Sequence, residues 1–198
     1  MGFLMQKLVI FGSGKGSNAR RIIEYFSQHN DIKVVALASN KPRRGFLDIS
    51  YDFRINLEII KGEELSDPKW LAHFKMTYRP DLIVLAGFLK KIPIPFIDTF
   101  PGLIINIHPS LLPKFGGKGM YGTYVHDSVI AANERYSGIT IHQVNEKYDE
   151  GAILFQEKVT LDDNETSKSL AEKIHELEYK HLPEFIEKYL NKEKEEML

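Results

Sequence analysis

The chain has no cysteine. That absence excludes disulfides, thiolate nucleophiles and thiolate metal sites, and it is compatible with a reducing compartment, so a cytoplasmic location is expected. Excess charge is also missing. Twenty-six Lys and Arg stand against 27 Asp and Glu, a formal net charge of -1, and neither half of the chain is strongly basic, so nothing recruits a polyanion and nucleic acid is not an expected partner. No apolar run approaches the roughly 20 residues of a membrane span, and the opening Met1–Gln6 has no charged segment followed by a long apolar one, so neither insertion nor secretion is signalled. Gln6 stands where a lipidation signal at Gly2 requires Ser or Thr, so no acyl anchor is expected. Repeats, low-complexity tracts and linkers are lacking as well. With 43% hydrophobic residues among 198, the chain can bury one core, and a single domain over 1–190 is expected, followed by a charged, frayed tail at 191–198.

What is present is alternation. Apolar, β-branched runs recur at Leu8–Phe11, Val34–Ala38, Leu82–Ala86 and Leu103–Ile107, each soon followed by Gly, Asn or Pro, as in the buried strands of a parallel sheet. Ala19, Ile22, Ile23 and Phe26 carry helical spacing between the first two, and Trp70, Leu71, Phe74 and Tyr78 repeat it behind Pro68, before the third. A glycine-rich loop from Pro109 to Gly122, expected to be mobile, leads to a helix near Tyr124–Asn133. The runs Gly138–Val144 and Ala152–Val159 then pair at one side of the sheet. A last helix spans about Ser167–Leu190, with Leu170, Ile174, Leu177 and His181 on one stripe and Pro183 expected to bend or interrupt it. The fold class is thus α/β, an open, mostly parallel twisted sheet with helices on both faces and an antiparallel pair toward the C-terminal part.

Ligands of open parallel sheets sit at the carboxyl ends of the strands, and three such places carry chemistry here. After the first strand, Gly12-Ser13-Gly14-Lys15-Gly16-Ser17-Asn18 turns into a helix, offering free N–H groups and the positive end of a helix dipole to an anion. The spacing fits neither the Walker loop nor the dinucleotide fingerprint, which disfavours ATP and NAD. The plainer reading is a glycine turn in which Ser17 or Asn18 caps the helix. After the fourth strand, Asn106 and His108 are two residues apart, hence on the same side of an extended strand, where an amide donor and an imidazole can face one reacting oxygen. His29, His73, His126 and His175 lack such a partner and read as structural. The third place is Lys147-Tyr148-Asp149-Glu150-Gly151, which by itself is only a good turn.

Together Gly14–Asn18, Leu85-Ala86-Gly87-Phe88, Asn106–Pro113 and Asp149-Glu150-Gly151 resemble the folate-dependent glycinamide ribonucleotide formyltransferases, and the likeness runs over nearly the whole chain. The resemblance implies that Asn106, His108 and Asp149 are catalytic, that Gly16, Ser17 and Asn18 hold a substrate phosphate, and that Glu178 meets ribose hydroxyls. It also implies folate contacts by Leu89, Lys90, Lys91, Ile92, Glu146 and Lys147, with 10-formyltetrahydrofolate as cosubstrate. The segment Phe115–Gly122 departs from better-known members in its extra glycine, and Leu89–Ile92 in an additional Lys. The expected reaction is attack of the substrate amine on the formyl carbon, the oxyanion held by Asn106 and His108 and the proton moved by Asp149 through water. His108 is expected to be charged if Asp149 lies close enough. His142, on the adjoining strand, is left outside the catalytic set. No metal is expected, because a formyl carbon is already electrophilic and no His and carboxylate ligand set is clustered in the sequence. The partners are small molecules, acting on a monomer or homodimer. The competing readings are a formyltetrahydrofolate hydrolase, a sugar or initiator-tRNA formyltransferase, and a non-catalytic nucleotide-binding module.

Overall fold

The four apolar runs become the middle of one seven-stranded sheet. In the computed structural model, which describes residues 5–41 and 44–196, the strands are β1 (Gln6–Gly12), β2 (Ile32–Ser39), β3 (Asn56–Ile59), β4 (Leu82–Leu85), β5 (Ile104–His108), β6 (Tyr136–Gln143) and β7 (Ile153–Thr160). The helices are α1 (Ser17–Phe26), α2 (Arg44–Phe53), α3 (Pro68–Tyr78), α4 (Ile94–Thr99), α5 (Thr123–Ala131) and α6 (Ser167–Glu196). The sheet order is β3-β2-β1-β4-β5-β6-β7. All neighbours from β3 to β5 are parallel, whereas β6 runs antiparallel to both β5 and β7.

Strand alternation splits the core in two. Leu8 and Ile10 point to the face covered by Ile22 of α1, Phe46 of α2, Val129 of α5 and Leu170, Ile174, Leu182 and Ile186 of α6. Val9 and Phe11 point to the other, against Leu71, Phe74 and Tyr78 of α3 and Phe96 of α4. Phe11 is fully buried there, edge-on to Phe74, Phe88 and Phe96 at 5.4–6.0 Å between ring centres. Truncating such a ring to Ala costs about 3–5 kcal/mol. Burial on both faces is why the strands read as continuous apolar runs rather than alternating ones.

β1 has β2 on one side and β4 on the other, so the chain leaves its end in one direction and leaves β4 in the opposite one, opening a crevice at the carboxyl edge. Ser13 spans that crevice. Its N–H donates to the Gly87 carbonyl at 2.9 Å, and its Oγ accepts the Leu89 N–H at 2.9 Å.

Three of these strands and helices were not anticipated. α2 and the four-residue edge strand β3 follow the second expected strand, and α4 is six residues opened by Pro93 and Pro95. These are too short or too mixed in pattern to show a period. Pro183 does not interrupt the last helix, which is continuous from Ser167 to Glu196. The helical hydrogen bond that Pro183 cannot donate would have ended on the Tyr179 carbonyl, and Arg21 Nε donates to that oxygen instead at 3.2 Å. Met197 and Leu198, the end of the expected tail, and Gly2 lie outside the described residues.

Candidate active site

The turn after β1 is shaped from below. Gly16 adopts φ +77, in the left-handed region, and a Cβ there would stand 2.5 Å from Ile49 of α2. Only glycine fits both demands. α1 then begins at Ser17 with no side-chain cap, so the capping role considered for Ser17 and Asn18 is not what these side chains do. The first N–H groups of the helix have no intrahelical acceptor and stay open to an anion. Asn18 turns inward, its Nδ2 donating to Glu178 Oε2 at 3.0 Å, while its buried Oδ1 has no hydrogen-bond partner. His175 Nδ1 donates to the same Glu178 oxygen at 3.0 Å. Glu178 itself is buried, so the resemblance-implied phosphate and ribose residues do meet, between α1 and α6.

Asn106 and His108 keep the shared face expected of them, and β6 runs alongside with His142 opposite Asn106 and Thr140 opposite His108. Asp149 comes from the loop joining β6 to β7, with φ +56. Its approach is set two residues later, where a Cβ on Gly151 would fall 1.7 Å from the Gln143 carbonyl oxygen. Only a glycine lets the loop turn back so tightly. Asp149 Oδ2 lies 3.5 Å from His108 Nδ1, and its Oδ1 lies 3.4 Å from Asn106 Nδ2 and 3.6 Å from His142 Nε2. The three expected residues therefore converge.

His142 joins them. Its Nδ1 donates to the Gln143 carbonyl at 2.8 Å, leaving Nε2 as the acceptor of an Asn106 N–H at 3.0 Å. The only sequence signal for this was its place two residues after Thr140 on the strand beside Asn106; the pairing register completes it. His108 is fixed in the same way, Nε2 donating to the Phe115 carbonyl at 2.8 Å, so its Nδ1 faces Asp149.

The expected charge on His108 is corrected. Burial disfavours the imidazolium and outweighs both Asp149 and the Phe115 carbonyl, so the ring is held below its ordinary value. Burial would raise Asp149, yet the imidazoles of His142 and His108 beside it and the Gly117 N–H it accepts hold it below the usual carboxylate range. An ionised Asp149 beside a neutral His108 is the neutral-pH state. Glu178 is near enough to raise His108 in turn, so the two polar clusters adjoin.

The loop after β5 closes over this cluster. Thr140 Oγ1 and Gln156 Nε2 anchor its stem at Ser110 and Leu112, and the Leu112–Pro113 bond is cis. Its glycine-rich tip reaches Asp149 through the Gly117 N–H at 2.9 Å. On the other side of the crevice Leu89 is exposed, whereas Ile92 is buried in the apolar cluster beside Phe88 and Phe96. Lys90 and Lys91 lie in the same segment, and Glu146 and Lys147 are exposed on the β6–β7 loop, Lys147 paired with Glu150 at 3.1 Å.

No helix among the described residues is long and apolar enough to cross a membrane. A formyl transferase family model matches residues 6–186. The chain is 42% identical over 181 residues to the chloroplastic phosphoribosylglycinamide formyltransferase of Arabidopsis thaliana, covering 88% of this chain and 62% of that protein. The phosphoribosylglycinamide formyltransferase of Bacillus subtilis (strain 168) is 30% identical over 194 residues, 94% of this chain and 95% of that one. The chain thus spans under two thirds of the plant protein and nearly all of the bacterial one. Among solved structures, phosphoribosylglycinamide formyltransferase from Bacillus halodurans superposes with a TM-score of 0.82 at 29% identity, over 93% of this chain and 95% of that one.

Proposed function

The chain belongs to the formyl transferase family, and from that premise we propose that it transfers the formyl group of 10-formyltetrahydrofolate to the primary amine of 5′-phosphoribosylglycinamide, a step of purine synthesis. The observation that carries this reading is the convergence of Asn106, His108 and Asp149 beside an uncapped helix start. The phosphate lies on Gly16, Ser17 and Asn18, and Glu178 takes ribose hydroxyls. The exposed Leu89 and its neighbours Lys90, Lys91 and Ile92, with Glu146 and Lys147 opposite, flank the folate. The protein works in the cytoplasm, as a monomer or homodimer.

Amine attack leaves a negative oxygen and a positive nitrogen on one tetrahedral carbon. Asn106 answers the first. Its 3.0 Å bond to His142 aims the amide, and its longer 3.4 Å contact with Asp149 is the one an oxyanion displaces. The neutral His108 presents an unprotonated Nδ1, and with Asp149 it accepts the ammonium proton through a bridging water; Nδ1–H then donates to the oxyanion. The same proton passes to the departing folate nitrogen as the C–N bond breaks. Burial keeps bulk water from the intermediate.

Formyl transfer from 10-formyltetrahydrofolate, assayed with and without the phosphorylated amine, tests the reading. A formylated ribonucleotide produced only with the amine supports it; formate released without the amine makes the chain a hydrolase, and no turnover leaves a binding module.

A further inference from the structure

We propose that Ser13 is a positioning residue for the transfer, its hydroxyl holding the turn that carries the ribonucleotide and the wall that carries the folate at the spacing in which amine and formyl carbon meet. The inference rests on the reading that the phosphate lies at the start of α1 and the folate along Leu89–Ile92. β1 and β4 are parallel neighbours with Phe11 opposite Leu85, and their ladder continues past the strands. The Phe11 carbonyl accepts the Ala86 N–H at 2.8 Å, and the Ser13 N–H donates to the Gly87 carbonyl at 2.9 Å. The next rung of a parallel ladder would run from the Leu89 N–H to the Ser13 carbonyl. Ser13 Oγ takes that hydrogen instead, at 2.9 Å. A side chain thus closes the ladder, and the main chain after Ser13 is free to turn into Gly14–Asn18.

The hydroxyl is fixed from a third side. Its Oγ–H donates to Asn40 Oδ1, and Asn40 directly follows β2, whose Ser39 pairs with Gly12. One buried oxygen therefore joins the ends of β1, β2 and β4. Donating to Asn40 aims its lone pairs at Leu89 and makes it a stronger acceptor than a hydroxyl free to rotate. The position in the crevice matters as much as the bonds. A Cβ on Gly12 would stand 2.9 Å from the Ala86 carbonyl oxygen, so the two chains touch one residue earlier. Beyond Ser13 they part: Gly87 turns at φ +77, Leu89 reaches solvent, and Gly16 begins the turn into α1. Ser13 stands where the walls diverge, and a bond made there sets the width between them. The plainer reading is a serine that satisfies two strand-end groups, which would add to stability and leave the reaction rate alone. What favours positioning is that the bond to Leu89 runs from one wall of the crevice to the other.

Ser13→Ala keeps the backbone bond to Gly87 and removes both hydroxyl bonds, so it changes the spacing without unpairing the strands. With 10-formyltetrahydrofolate and 5′-phosphoribosylglycinamide both saturating, kcat should fall about tenfold, part of the roughly hundredfold that a misplacement of about 1 Å can cost, while calorimetric affinity for the ribonucleotide changes less than about twofold. Asn40→Ala leaves the hydroxyl without its orienting acceptor and should lower kcat less; Asn40→Asp, which supplies an acceptor again, less still. Hydrogen exchange reads the link without turnover: the Leu89 amide should exchange about tenfold faster in Ser13→Ala, with the Val9 and Ile10 amides of β1 unchanged. An unchanged kcat beside faster Leu89 exchange overturns the assignment and leaves Ser13 a strand-end bond, and unchanged Leu89 exchange overturns the link itself. A fall in kcat matched by an equal loss of ribonucleotide affinity, or by faster exchange along β1, also overturns it, since the change then belongs to binding or to the fold. Wild-type protein that moves no formyl group to the amine sinks the functional reading, and the role of Ser13 in transfer with it, while Leu89 exchange still reports the link.

Discussion

The cluster of Asn106, His108 and Asp149 and the glycine turn before α1 adjoin at one edge of the sheet, yet they hold their polar groups in opposite states. In the cluster the donors are engaged: the N–H groups of Asn106 face His142 and Asp149, the donor nitrogens of both histidines are bonded to carbonyls, and the Asp149 carboxylate takes the Gly117 N–H. At the start of α1 the backbone donors are left open and one side-chain oxygen, Asn18 Oδ1, is buried without a partner. The difference matches the charge each is proposed to meet. A phosphate is charged before and after binding, so donors kept open for it cost little near water. An oxyanion exists only during the reaction, and buried donors left idle between turnovers would cost about 1–3 kcal/mol each, so they are satisfied internally and exchange partners.

Replacing Asp149 tests the comparison most severely. Asp149→Asn should lower kcat about 100-fold or more, roughly 3 kcal/mol, while ribonucleotide affinity measured by calorimetry barely changes. Combining it with His108→Ala should cost far less than the product of the single losses, because groups that act as a unit are not additive. Multiplicative losses would mean that the two residues work separately, whatever their 3.5 Å separation.

The pH profile comes next. Burial lowers His108, so the ring stays neutral as pH falls past the ordinary histidine range and gains its proton only in more acidic solution. Asp149, also lowered, remains ionised there. At saturating substrate, kcat should therefore be level through pH 7 and fall about tenfold per unit only below the ordinary histidine value. An acid limb at or above that value, with His108 15N shifts following it, would show that Asp149 outweighs burial.

Ser17→Ala probes the open side. Loss of one contact to a charged group should raise KM for the ribonucleotide about tenfold with a smaller change in kcat, since the phosphate is remote from the reacting carbon. A matching fall in kcat would erase the division between the two regions. The smallest effect concerns the loop between them. The Gly117 amide should exchange slowly in the free protein because Asp149 accepts its hydrogen, and several-fold faster once both substrates occupy the site. Equal protection in the two states would mean that the loop does not yield when the reactants arrive.

How much of this was legible follows from the range of the forces involved. The four central strands, α1, α3 and the long C-terminal helix announce themselves through periodicity, because burial on a face repeats with the backbone. α2, β3 and α4 do not, being short and placed by what they cover. α2 shows what that costs, since its Phe46 and Ile49 pack under the glycine turn and set its shape. Asn106 and His108 were pairable from spacing alone, and Asp149 and Glu178 entered only through a family likeness. His142 remained outside the set because its distance to Asn106 belongs to a strand register, which no local pattern encodes.

The amino-acid sequence by itself determined the sheet of buried strands, the glycine turn that opens α1, and the family, since these depend on neighbours within a few residues or on motifs read whole. Only the tertiary structure decided the electrostatics. Whether His108 is charged depends on the balance between burial and a carboxylate 41 positions away in the chain, and Asn18 meets His175 only because the fold brings both to one Glu178 oxygen. Burial and proximity are properties of the assembled molecule, and a titratable group answers to them more than to its sequence neighbours.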